Sequence, residues 1–156
     1  EKDSLYTLSL NGDDNKFGML DIADTYAGTK AGNLANYFAG MAYMNMKDYA
    51  NAIEYLNAFS SDDDVLGPIA KGGIGDAFVQ LEQLEDAYDY YVQASQLKIN
   101  NYTTPTYLYK AGVIGLKIGE NKKALNFFES IKTDFPESTE AKNIDVFIGK
   151  ARAMIK

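Results

Sequence analysis

Apolar and polar residues alternate along much of this chain with the period of a helix. Tyr37, Gly40, Met41 and Met44 stand at i, i+3, i+4 and i+7, so they share one helix face. A polar pair, Lys47-Asp48, follows. Ala52, Ile53, Leu56 and Phe59 then restart the pattern on a second face. Two helices joined by so short a turn pack as antiparallel neighbours. The stretch AGMAYMNMKDYANAIEYL, residues 39–56, is therefore predicted to be a helical hairpin.

The pattern returns in IGDAFVQLEQLEDAYDYY, residues 74–91, and in AGVIGLKIGENKKALNFF, residues 111–128. Gly40, Gly75 and Gly112 mark the copies, and Ala52, Ala87 and Ala124 follow them, each by twelve residues. The periods are 35 and 37 residues, the range of helical solenoids. A glycine inside a helix costs about 1 kcal/mol relative to alanine. Three in register imply that each sits where two backbones come close, so glycine and alanine are expected to meet across each hairpin.

The flanks read as partial units. Asn15–Tyr26 is expected to be the second helix of a degenerate first unit. After Pro136, Ser138 or Thr139 can cap a final helix whose face of Ile144, Phe147, Ile148, Ala151 and Ile155 covers the open end of the stack. The resulting single domain, 1–156, divides into a half unit (14–32), repeats at 33–66, 68–101 and 105–138, and a capping helix at 139–155. NGDD signals a turn near the start, and SLYTLSL before it is assigned no element. Mostly helix and no sheet is the expectation.

These residues resemble the tetratricopeptide repeat, with its Gly, Ala and Phe positions in a helix–turn–helix of 34 residues. The first copy supplies Gly40, Tyr43 and Ala52, with Leu56 at the Phe position. The second supplies Ile74, Gly75, Phe78, Ala87, Tyr91 and Ala94, and the third Gly112, Gly119, Ala124, Phe128 and Pro136. The chain departs from the pattern at its Trp position, which holds Asn36, Lys71 and Leu108. Asp64 and Ile99 replace proline, and Gly115 replaces a Tyr. The resemblance implies an all-α, right-handed superhelix of about three and a half helix pairs, with the first helix of each pair lining a concave face.

On that face the resemblance places Leu34, Tyr37, Met41, Met44 and Asn45 from the first unit. The second contributes Ile69, Gly72, Asp76, Val79 and Gln80, and the third Thr106, Tyr109, Val113, Leu116 and Lys117. The set is chiefly apolar and lacks the Lys/Asn/Arg group with which some relatives clamp a C-terminal carboxylate. It implies a non-enzymatic scaffold that binds a protein or peptide, with a self-associating module, a homodimer, as the alternative. Tyr37 and Tyr109 are the expected anchors, and truncating either should leave the helices intact. The acidic character, the entry GTKAGNLANY (28–37) and the exit DFPES (134–138) are similar to soluble domains of membrane-anchored bacterial proteins that assist the export channel and periplasmic chaperones. The chain begins EKDSLY, without methionine, so a preceding anchor and a periplasmic location are expected, with the cytoplasm as the alternative.

Charge narrows the partners. The net charge is −7, which disfavours nucleic acid and direct contact with anionic membranes. It is unevenly spread. Residues 1–100 carry 16 acids and 6 bases, whereas residues 101–156 carry 6 acids and 9 bases, a net of +3. The absence of histidine and cysteine removes His-based acid–base catalysis, disulfides and Cys/His zinc sites. No cofactor is expected. In GPIAKGGIGD (67–76) the lysine precedes the second glycine and no Ser/Thr follows, so it does not make a phosphate loop. SSDDDVLG (60–67) lacks the alternating ligands of a calcium loop and reads as an acidic connection that caps the next helix. Glu85-Asp86 and Asp62-Asp63 fall on wet faces, where nothing would shift a carboxylate toward acid–base work.

Overall fold

The structure is a computed structural model describing residues 2–155. Helices follow one another with short connections: α1 (Lys2–Asn11), α2 (Met19–Thr25), α3 (Lys30–Asn45), α4 (Tyr49–Ala58), α5 (Leu66–Gln80), α6 (Leu84–Leu97), α7 (Thr104–Lys117), α8 (Asn121–Asp134) and α9 (Ile144–Met154), the last preceded by a 3-10 turn, Glu140–Asn143. From α2 onward each helix packs chiefly against its neighbours in sequence, so the pairs α3–α4, α5–α6 and α7–α8 stack in order, while α1 packs mainly on α3. This is the all-α, tetratricopeptide-like architecture expected from the repeats.

The hairpin turns repeat as faithfully as the glycines. Lys47, Glu82 and Gly119, each seven residues after its repeat glycine, all have positive φ, at 62°, 59° and 87°. The reversed residue closes the helix before it: Asp48 N–H donates to Tyr43 O at 3.0 Å, Gln83 N–H to Phe78 O at 2.9 Å and Glu120 N–H to Gly115 O at 2.8 Å. The same three residues start the next helix, where their carbonyls accept from the N–H groups of Ala52, Ala87 and Ala124. Left-handed backbone suits glycine, so Lys47 and Glu82 hold it at a cost.

The partner of each repeat glycine differs from the one expected. It is the large side chain sixteen residues on, rather than the alanine, that fills its space. A Cβ on Gly40 would come within 2.6 Å of Leu56, and one on Gly75 within 2.7 Å of the Tyr91 ring. A Cβ on Gly112 would overlap the Phe128 ring. The alanines are buried in the same seams, and Ala87 O lies 3.3 Å from that Gly75 position. The helices cross one turn beyond the point inferred from the hairpin's symmetry.

The N-terminal region also departs from expectation. SLYTLSL is helical, within α1. Gly12–Asp13 and Lys16–Phe17 then form a two-stranded antiparallel ladder, so the expectation of no sheet is corrected by one small hairpin. α2 consequently begins at Met19 rather than Asn15, where the Asp21 carboxylate accepts from Gly18 N–H at 3.2 Å. Leu10 of α1 is buried with Ala39 and Ala42 of α3. At the other end, Ser138 Oγ accepts from Ala141 N–H, and Ile144, Ile148 and Ala151 of α9 are buried against Phe128 and Ile131 of α8. The acidic connection before α5 behaves as a cap: Asp63 Oδ1 accepts from Val65 and Leu66 N–H, each at 2.8 Å, and those bonds hold its carboxyl below the usual range.

Candidate concave interface

The surface left open on the first helices of the pairs follows from helix geometry. In α3 the buried side toward α1 and α2 carries Ala35, Ala39 and Ala42, and the side toward α5 carries Tyr37, Met41 and Met44. Between them runs the row Leu34, Phe38 and Asn45, with Met41 at its border toward α5. Leu34 and Phe38, one turn apart on this face, are 41% and 47% exposed. Adding the repeat periods gives the equivalent rows: Ile69, Gly73, Asp76 and Gln80 in α5, and Thr106, Lys110, Val113 and Lys117 in α7.

The predicted residues divide on this surface. Leu34, Asn45, Gln80 and Lys117 are exposed, as an interface requires. Met41 and Met44 are half-buried against the Leu56–Ile74 cluster, and Tyr37 lies tilted on Phe59 at 5.1 Å between ring centres. Val79 packs on the Ala87–Ile114 cluster. Tyr109 meets Phe147 of α9 edge-on at 5.0 Å and also faces Phe128. Val113 lies beside it against the same cluster, and Leu116 is only 6% exposed within it. Leu116 is therefore core, and Tyr37 and Tyr109 are partly so. Tyr37 packs between α3–α4 and α5, and Tyr109 between α7–α8 and α9, so truncating either should also loosen the stack, at odds with the expectation that the helices are left untouched. Gly72 presents no surface either, since a Cβ there would fall inside the Tyr107 ring.

The centre of the surface is polar and organised. Asp76 Oδ1 accepts from Tyr91 Oη and from Lys110 Nζ, both at 2.6 Å. The Lys110 ammonium also lies over the Tyr91 and Tyr107 rings, 5.4 and 5.8 Å from their centres. One carboxylate, one ammonium and two aromatic rings thus link α5, α6 and α7. Burial, reinforced by the bond to Asp76, pushes the Tyr91 hydroxyl far above its ordinary value of 10.0. Burial and the nearby Asp76 charge do the same for Tyr107. Both stay neutral at any physiological pH, so Tyr91 serves as a hydrogen-bond donor and Tyr107 packs.

Two members of this surface escaped sequence reasoning. Phe38 was signalled by its position four residues after Leu34 and three before Met41, which places it on the same row. Lys110 was signalled by the same arithmetic from Phe38. Among the described residues no group of three or more Asp and Glu is placed to hold a metal, and no helix is long and apolar enough to cross a membrane.

Comparison with known proteins found two similarities. The tetratricopeptide-repeat family model matches residues 35–59, most of α3 and all of α4. A crystal structure of MamA protein is similar, with 21% sequence identity over 99% of this chain and 88% of that chain and a TM-score of 0.49. No curated protein matches the sequence.

Proposed function

We propose that this repeat-bearing chain is a non-catalytic scaffold that binds a protein or peptide along the concave row of α3, α5 and α7. The observation that carries this is the exposed Leu34–Phe38 pair, continued by Met41 and set beside a rigid polar centre. A folded chain gains nothing from leaving two large apolar side chains in water on one face, and such patches commonly mark contact surfaces. Aromatic anchors concentrate binding energy, which gives Phe38 the leading role. An envelope-associated chaperone or assembly role, with the domain tethered in the periplasm, belongs to the same proposal. It rests on the resemblance of the GTKAGNLANY and DFPES segments.

The test is selection of displayed random peptides on the purified domain, followed by titration of the selected sequences. Phe38→Ala should weaken them by about tenfold and leave the far-UV circular dichroism unchanged. Ile99→Ala, at an exposed position on the α6–α7 connection, should bind normally. Equal affinity for the Phe38 variant and the parent would remove the concave face as the site. Self-association dependent on Phe38, seen by light scattering, would identify a second copy as the occupant.

A further inference from the structure

We propose that the groove is charged at one end only, so that it selects a partner segment whose apolar residues lie over α3 and whose carboxylates lie over α7 and α9. The inference rests on the scaffold reading above and adds to it a partner chemistry and a direction.

Along the row, α3 presents no ionisable group. In α5 the ionisable residue is Asp76, and Lys110 already neutralises it at 2.6 Å. Beyond that pair the character changes. Exposed Lys117 of α7 and exposed Lys150 of α9 share a pocket of about 100 Å³ with Val113, Phe147 and Met154. No carboxylate lines it. Among the described residues neither lysine forms an ion pair, whereas Lys132 and Arg152, on α8 and α9, are matched with Asp145 and Glu129.

Two ammonium groups without an ion pair thus stand beside one apolar pocket, in the part of the chain, residues 101–156, that carries a net of +3. Their field is little cancelled locally, and the apolar wall strengthens it by excluding water from one side. The complementary ligand carries an aliphatic side chain for the pocket and carboxylates for the two lysines. These would be side-chain carboxylates within a segment, so no free chain end is required. Because the apolar pair and the lysines occupy opposite ends of the row, such a segment binds in one direction.

Fluorescence anisotropy with three labelled, C-terminally amidated peptides tests this. Each has leucines in one half; the other half carries glutamates, lysines or glutamines. The glutamate peptide should bind about tenfold tighter than the lysine peptide, and added salt should narrow the gap. The double variant Lys117→Glu, Lys150→Glu, at two exposed positions, should invert the order. Equal binding of all three peptides, or an unchanged order in the double variant, overturns the charge inference. If Phe38→Ala still weakens every peptide in that case, the scaffold reading stands without it. If no peptide binds the parent domain, both readings fall.

Discussion

The second and third hairpins differ at one informative atom. Gly75 is covered by Tyr91 and Gly112 by Phe128, at the same position of the repeat. The rings do the same steric work, each filling a space that a Cβ would occupy. Phe128 stops there, and is walled in by Tyr109 and Phe147. The Tyr91 hydroxyl reaches past the seam to Asp76, and Asp76 holds Lys110. One oxygen thus ties the middle hairpin's interior to the centre of the binding surface, while the third hairpin's interior ties to the capping helix. Equal repeat positions can serve different neighbours without changing the fold.

The largest effect should come from emptying the third seam. Phe128 is fully buried, and Phe128→Ala should cost about 3–5 kcal/mol in denaturant unfolding. A loss under about 1 kcal/mol would mean that α9 is not seated on it. Ala87→Leu overfills the second seam, where Ala87 is fully buried, and should cost about 1–3 kcal/mol. Its melting temperature should fall by several degrees. An unchanged melt would place Ala87 outside the α5–α6 contact.

Tyr91→Phe makes the two hairpins alike. Removal of one hydrogen bond to a partly exposed carboxylate should cost about 1 kcal/mol. It should also loosen Lys110, visible as a higher protection loss for α7 amides than for α8 amides in hydrogen exchange. Alkaline titration separates the seams without mutation. Tyr91 and Tyr107 have folded-state values above the ordinary 10.0. Their contribution to stability is therefore full below pH 10 and lost as pH rises beyond it. Helix content and tyrosinate absorbance should change together there, and Tyr91→Phe should shift the transition upward. The smallest effect belongs to the turns: Lys47→Gly and Glu82→Gly relieve left-handed backbone and should each stabilise by up to about 1 kcal/mol.

Much of this was legible because it is repeated. Glycine, alanine and turn positions recur three times in the sequence, and each copy corroborates the others. α1 has no such copy, and its pattern is weakly one-sided; Leu5 is 66% exposed. Only its packing on α3 shows it to be part of the stack. The glycine's true partner was missed because hairpin symmetry fixes which helices meet, not the height at which they cross. Leu116 and Tyr109 were read as open surface because the position of α9 is set by contacts distant in sequence. Phe38 was overlooked in favour of the family's usual positions, although the helical period placed it correctly.

The Tyr107 ring lying in the notch left by Gly72 has a mechanical consequence. A solenoid bends where successive coils can slide, and here a flat plate from one coil is seated in a slot of the previous one. Sliding would drive the plate into the α5 backbone, so this joint behaves as a detent with one rest position. The preceding joint, between α3 and α5, is cushioned by Met41 and Met44, whose thioether chains repack easily. Under load the molecule should therefore flex at its first joint and hold its second, as a spring with one stiffened coil.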